Sequence, residues 1–340
     1  MDQQNLVSDV LAACDARRTE RRAFLRAARN ISAVAAGAGL LAACDSKSDG
    51  FNPINTPAPA PTPSPTPTAA ALTDGDILNF ALNLEYLEAQ FYSFAAFGTG
   101  LAAAQLTGTG TQGTVTGGRQ VTFTDPLVAA YAREIARDEI AHVAFLRNAI
   151  GTTAVAQPAI NISGDANGAF TAAARAAGLA SATGTFDPYT NDENFLLAAY
   201  IFEDVGVTAY KGASVLISSK AFLEAAAGIL AAEAYHAGLV RTVLYRKGLA
   251  TPTLIDATEA ISNARDSLDG TSDLDQGVRG SGAGADISSN IVPTDNTGIV
   301  YSRSAGQVLN VVYLNRAAVS AGGFFPAGVN GVIRTSAASG

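Results

Sequence analysis

This chain is poor in the side chains that usually carry chemistry: two histidines and two cysteines in 340 residues. No Cys-x-x-Cys pair is present, which excludes a rubredoxin-type iron site and the electron relay it would provide. Basic runs are also missing, as is any interleaving of aromatic with basic residues. With 22 Lys and Arg against 30 Asp and Glu, a net charge of −8, nucleic acid is excluded as a partner. The N-terminal apolar stretch from Ile31 to Ala43 falls short of the roughly 20 residues a membrane-crossing helix needs.

What the N-terminal region does contain is an ordered set of signals. Arg21-Arg22-Ala23-Phe24-Leu25-Arg26 resembles a twin-arginine export signal, the short apolar stretch follows, and Leu41-Ala42-Ala43-Cys44 resembles a lipoprotein cleavage box. Cleavage before Cys44 would remove Cys14 and leave one thiol as a lipid attachment point, so no internal disulfide is expected. The alternating prolines Pro57 to Pro67 then form a polyproline-type tether. The expected organisation is a signal over 1–44, a tether over 45–72, a helical bundle over 73–250 and an extension of the same domain over 251–340. Such a protein would be exported by the twin-arginine route and anchored to a membrane through Cys44, in the periplasm or at the cell surface. Without the six Arg and four Asp or Glu of its first 44 residues it keeps 16 basic and 26 acidic side chains, a net charge of −10.

Both histidines sit three positions after a glutamate, in Glu139-Ile-Ala-His142 and Glu233-Ala-Tyr-His236. With ten glutamates in 340 residues, one such coincidence has a chance of about 3%, and both together on the order of one in a thousand. On a helix these pairs share a face, so each offers a carboxylate and an imidazole to one point. Apolar periodicity predicts helices over Asp74 to Phe97, Pro126 to Ile150, Asn191 to Ser218 and Ala221 to Lys247, the first capped by Asp74 or Asp76 and stopped by Gly98. The four form two similar halves. Glu85 is followed seven residues later by Tyr92, and the next helix supplies Glu139 and His142; Glu203 is followed seven residues later by Tyr210, and the next helix supplies Glu233 and His236. Facing each other, the halves would gather four carboxylates and two imidazoles about a pseudo-twofold axis. Four buried acids need more positive charge than two imidazoliums carry, whereas a pair of divalent cations supplies it.

The Glu-x6-Tyr and Glu-x-x-His motifs resemble those of the ferritin-like superfamily of di-metal carboxylate bundles, among which bacterioferritin and rubrerythrin are the better matches. Ala81-Leu82-Asn83-Leu84-Glu85-Tyr86-Leu87-Glu88, Asp138-Glu139-Ile140-Ala141-His142-Val143 and Gly322-Gly323-Phe324-Phe325-Pro326-Ala327-Gly328-Val329-Asn330-Gly331 resemble the desiccation-related group of ferritin-like domain proteins. The resemblance implies an all-α fold, a four-helix bundle with long loops and a packed C-terminal extension. It also implies two metal ions, iron or manganese, bridged by Glu139 and Glu233, with Glu85 and Glu203 as terminal ligands and His142 and His236 completing one metal each. Glu88 is either a partner behind the ligands or a shifting ligand. Asp204 points away from Glu203 on an ideal helix and stays outside the ligand set. Tyr92 and Tyr210 are either hydrogen-bond partners of ligands or plain core aromatics.

The stretches Gly98 to Phe123 and Thr152 to Thr190 are long for a simple bundle and predict a functional cover or small subdomain. Within the second, 169–177 reads as a short helix and 159–162 as an extended piece. Beyond the bundle, 254–268 and 304–314 read as helical, 270–286 as poorly ordered, and Asp269, Asp273 and Asp275 as a solvated acidic loop rather than a calcium site. A carboxylate-rich pair of metals suits iron or manganese and two-electron chemistry on dioxygen, peroxide or Fe(II). Without an attached reductant, ferroxidation or catalase-like disproportionation is favoured. The competing reading is a protective or metal-sequestering protein whose metal pair is structural. The sequence sets no oligomeric state.

Overall fold

A computed structural model of the chain describes residues 71–339. The twin-arginine segment with Arg21 and Arg22, Cys44 and nearly all of the tether lie outside the described residues. Seven helices and one two-stranded sheet make up the described part. The bundle comprises α1 (Asp74–Phe97), α2 (Pro126–Ile150), α4 (Asp192–Ser214) and α5 (Lys220–Gly248); α3 (Ala169–Ala176) lies in the loop between α2 and α4. The extension supplies α6 (Pro252–Asp269) and α7 (Ala305–Tyr313). Among the described residues no helix is long and apolar enough to cross a membrane.

The four bundle helices do not bury alike. In α1, 19 of 24 residues are buried, and in α4 17 of 23, whereas α2 buries 7 of 25 and α5 10 of 29. A helix apolar on every side must be covered on every side. Here α2 and α5 pair with α1 and α4 respectively, and the long loops and C-terminal extension cover what remains. The two loops join through β1 (Val115–Gly117) and β2 (Ile160–Ile162), which pair in parallel, and through a bridge between Thr109 and Val155. The extended piece and the short helix expected in the second loop are both present.

Helix ends follow local chemistry, with two departures from expectation. Thr73, rather than Asp74 or Asp76, caps α1; Asp76 completes the capping box, and Asp74 accepts from the backbone N–H groups of Ser218 and Ser219. The third bundle helix stops at Ser214, four residues early, and Ser219 caps α5. Gly98 ends α1 in the left-handed conformation as expected, and Asp125 with Pro126 opens α2.

The extension is held by two devices. At one end Asn83 on α1 exchanges hydrogen bonds with the backbone of Asn330, whose own side chain reaches Thr111 and Ala156. Next to it, Phe324 is fully buried against Phe170 and Phe202. Gly322, Gly323, Gly328 and Gly331 all have positive φ, so the glycine-rich phrase folds the tail back onto the bundle. At the other end Arg241, Arg265 and Arg303 are buried with Asp204, Asp269 and Asp275. Arg241 reaches Asp204 at 2.7 Å, Arg265 reaches Asp204 at 3.1 Å and Asp275 at 3.0 Å, and Arg303 reaches Asp269 and Asp275 at 2.5 Å each.

This network corrects two expectations. Asp269 and Asp275 belong to a buried, charge-matched cluster, neither a solvated loop nor a calcium site. Within the 270–286 segment, 276–278 is tied down as well, because Arg241 donates to the carbonyls of Gln276 and Gly277 and Val278 is fully buried, while 281–286 is exposed. Both differences have one cause: apart from Arg265, ten positions from Asp275, the partners lie 28 to 36 positions away in sequence, where no local pattern reveals them.

Arg303→Ala strands Asp269 and part of Asp275 without a cation. Breaking a buried pair from one side costs about 3–5 kcal/mol, so chemical denaturation is expected to show a loss of that size. A loss below about 1 kcal/mol, typical of an exposed pair, would contradict a packed extension.

Candidate metal centre

The site forms where the four helices face one another. α1 carries Glu85, Glu88 and Tyr92; α2 carries Glu139 and His142; α4 carries Glu203 and Tyr210; α5 carries Glu233 and His236. All five glutamates are buried. The imidazoles turn inward, with side-chain exposures of 12% for His142 and 3% for His236 and ring centres 6.3 Å apart.

Glu139 lies between them. Its Oε2 is 3.4 Å from His142 Nδ1 and its Oε1 is 3.2 Å from His236 Nδ1, one oxygen to each ring. His142 Nδ1 is also 3.2 Å from Glu85 Oε2 and 3.8 Å from Glu233 Oε1, while His236 Nδ1 is 3.7 Å from Glu203 Oε2. Donor atoms of Glu85, Glu139, His142 and Glu233 lie within 4.8 Å of one another, as do those of Glu88, Glu203 and Glu233. All six residues singled out by motif thus converge, and Glu88 joins them.

The tyrosines settle a question that spacing left open. Tyr92 donates to Glu203 Oε1 and Tyr210 donates to Glu85 Oε1, so each reaches across to the glutamate of the other half. Each terminal glutamate therefore has one oxygen held and the other, Oε2, free to face the cluster. The contact is reciprocal, as a pseudo-twofold arrangement requires. Asp204 turns away to Arg241.

One partner escaped the sequence reading: Asp138, whose Oδ2 is 3.1 Å from His236 Nε2. It immediately precedes Glu139, yet serves the histidine of the opposite helix pair, which no spacing rule discloses. Such a carboxylate behind an imidazole fixes which ring nitrogen carries the proton and leaves Nδ1 to face a ligand.

The donor set fits divalent metal on a direct observation. Twelve buried side-chain polar atoms among the described residues have no hydrogen-bond partner, and eight belong to this cluster: Glu85 Oε2, Glu88 Oε2, both oxygens of Glu139, His142 Nδ1, Glu203 Oε2, Glu233 Oε2 and His236 Nδ1. Native interiors leave few polar atoms unsatisfied. Gly206 adds a second observation, because a Cβ there would lie 2.2 Å from Glu233 Oε2. The bare backbone of α4 makes room for that carboxylate.

The protonation pattern shows the same excess of negative charge. Burial, together with the charge of Glu139, raises Glu85 to about 7; burial raises Glu203 to about 8 despite His236 nearby. Glu88 and Glu233 lie well above the carboxylate range, pushed there by burial and by the other carboxylates. Glu139 goes the other way: burial opposes its charge, but the two imidazoles beside it, His142 and His236, outweigh that and bring it to about 2. Burial likewise opposes the imidazolium charge, yet the surrounding carboxylates raise His142 to about 11 and His236 to about 9.

Protons held in this way must leave before metal binds. In metal-free protein the stability linked to Glu85 and Glu203 is present below about 4.5 and lost as pH rises through about 7 and 8. The stability linked to the imidazoles is present below about 6.5 and lost through about 9 and 11. That linked to Glu139 is lost only as pH falls from about 4.5 through about 2. Thermal melts of chelator-treated protein should therefore drop between pH 6 and pH 8, and Mn(II) should raise the melting temperature more at pH 8. A gap between loaded and metal-free protein that did not change with pH would contradict this charge balance.

Comparison with known proteins agrees with the geometry. A family model described as "Ferritin-like domain" matches residues 73–246. The chain is 31% identical over 270 residues to a protein of Nesocodon mauritianus named ferritin-like catalase Nec2, covering 76% of this chain and 84% of that one. It is 30% identical over 245 residues to desiccation-related protein PCC13-62 of Craterostigma plantagineum, covering 70% and 76%. No solved structure matches. With its bundle, its buried carboxylate and histidine cluster and these relatives, the chain belongs to the ferritin-like domain family.

Proposed function

We propose that this protein is an exported, lipid-tethered di-metal enzyme that disproportionates hydrogen peroxide at a manganese or iron pair. The observation that carries the reading is the set of eight unpartnered buried donor atoms facing one another without counter-charge. Glu139 and Glu233 would bridge the pair, Glu85 and His142 would complete one metal, and Glu203 and His236 the other. Bound there, such a pair supplies a two-electron redox couple, enough to turn two peroxides into two waters and one dioxygen. The relative named a catalase favours peroxide over Fe(II) or dioxygen as substrate.

The chain's own residues supply position and access. Tyr92 and Tyr210 pin one oxygen of Glu203 and Glu85, so the other is presented without a search through rotamers. Phe91, Phe195 and Phe202 pack together beside Tyr92 and exclude water on that side. On the other side an open groove of about 550 Å³ between α2 and α5 reaches His142, bordered by Phe145, Phe222 and Gly228. It admits a small polar oxidant and leads past a single imidazole to the cluster.

A second reading, a metal pair that only stabilises a desiccation-protective bundle, draws support from the other relative's name. Two variants separate them. Glu139→Gln should abolish peroxide consumption by metal-loaded protein in the catalytic reading and lower only the melting temperature in the structural one. Gly228→Trp fills the groove at a position where an added side chain meets nothing within 4 Å. It should reduce kcat/KM for peroxide several-fold with melting temperature unchanged; loaded wild-type protein that consumes no peroxide would refute the enzyme reading.

The tether makes its own prediction. Cys44→Ala should move the protein from the membrane to the soluble exported fraction, followed by blotting of fractionated cells. Unchanged membrane association would exclude a lipid at Cys44.

A further inference from the structure

The two halves of the centre repeat, but they differ at two positions that matter. Three residues after the terminal glutamate, the first half has Glu88 where the second has Gly206. Immediately before the glutamate of each Glu-x-x-His, the first half has Asp138 where the second has Ala232. Both differences favour the same side. Glu88, only 7% exposed and with Oε2 unpartnered, groups with Glu203 and Glu233; the absence of a side chain at Gly206 leaves space for Glu88 and Glu233 there. Asp138 reaches across to His236 Nε2. No side chain among the described residues plays that part for His142, whose ring borders the solvent groove.

Resting on the metal-centre reading, we propose that the two cation positions are unequal. The inner one is held by Glu88, Glu139, Glu203, Glu233 and His236, with Asp138 behind the imidazole as a positioning residue. The outer one is held by Glu85, Glu139, His142 and Glu233, opens on the groove, and exchanges its divalent cation first. Glu88 is then a seventh ligand that adds a carboxylate to one metal only, and the open position beside His142 is where substrate meets the pair.

The test is a calorimetric titration of the metal-free full-length protein with Mn(II), with electron paramagnetic resonance counting bound ions. Two steps are expected, the first tighter by at least about tenfold. Glu88→Gln and Asp138→Asn should each weaken the tight step about 10- to 100-fold, the range typical of lost partners behind metal ligands, and leave the weak step within about threefold. Ala232→Asp, which gives His142 the counterpart of Asp138, should tighten the weak step; this gain keeps the test decisive where a glutamate variant fails to fold. Two ions bound with one common affinity, or both steps shifted alike by Glu88→Gln, would overturn the inequality while leaving a metal centre in place. Wild-type protein that binds no Mn(II) would overturn the centre itself, and the inequality with it.

Discussion

Five carboxylates and two imidazoles enclosed in a dry interior cannot all keep their ordinary charges, and much of this structure can be understood from that constraint. Fully ionised, the glutamates carry five negative charges against at most two positive ones on the rings. Protons relieve part of the excess, which is why Glu85, Glu88, Glu203 and Glu233 are all raised while Glu139, between both histidines, is lowered. Divalent metal would relieve it better, and would also give the unpartnered oxygens and Nδ1 atoms something to bind. A bundle that spent its core only on stability would place apolar side chains at these positions.

The same protein contains the opposite solution a short distance along α4. Asp204 follows Glu203 in sequence but belongs to a cluster of three arginines and three aspartates whose charges cancel within the chain. That cluster fastens the C-terminal extension to the bundle and has no need of an outside ion. Glu203 and Asp204 thus mark the line between an electrostatic problem closed by the fold and one left open for metal.

Much of the site was legible because its information is local. Glu-x-x-His reads directly as a shared helical face, and the seven-residue step to Tyr92 and Tyr210 selected Glu85 and Glu203 as a matched pair. The helix bounds of α1 and α2 followed from apolar periodicity, Gly98 and Pro126. Less legible were interactions between residues that lie far apart in the chain. Tyr92 with Glu203, Asp138 with His236 and Arg303 with Asp275 are separated by 111, 98 and 28 residues. The strand at Val115 was not legible for the same reason, since it needs Ile160–Ile162 as its partner.

By itself the sequence determined an all-α bundle of two similar halves and the six residues turned toward its centre, because helical periodicity converts spacing into direction. Tertiary structure alone decided that the tyrosines cross between halves, that Glu88 belongs to the cluster, and that Asp269 and Asp275 are buried rather than solvated. Those outcomes depend on which faces meet after the chain has turned back on itself. The free energy of a buried charge is set by its neighbours in space, and spacing along a single helix does not contain them.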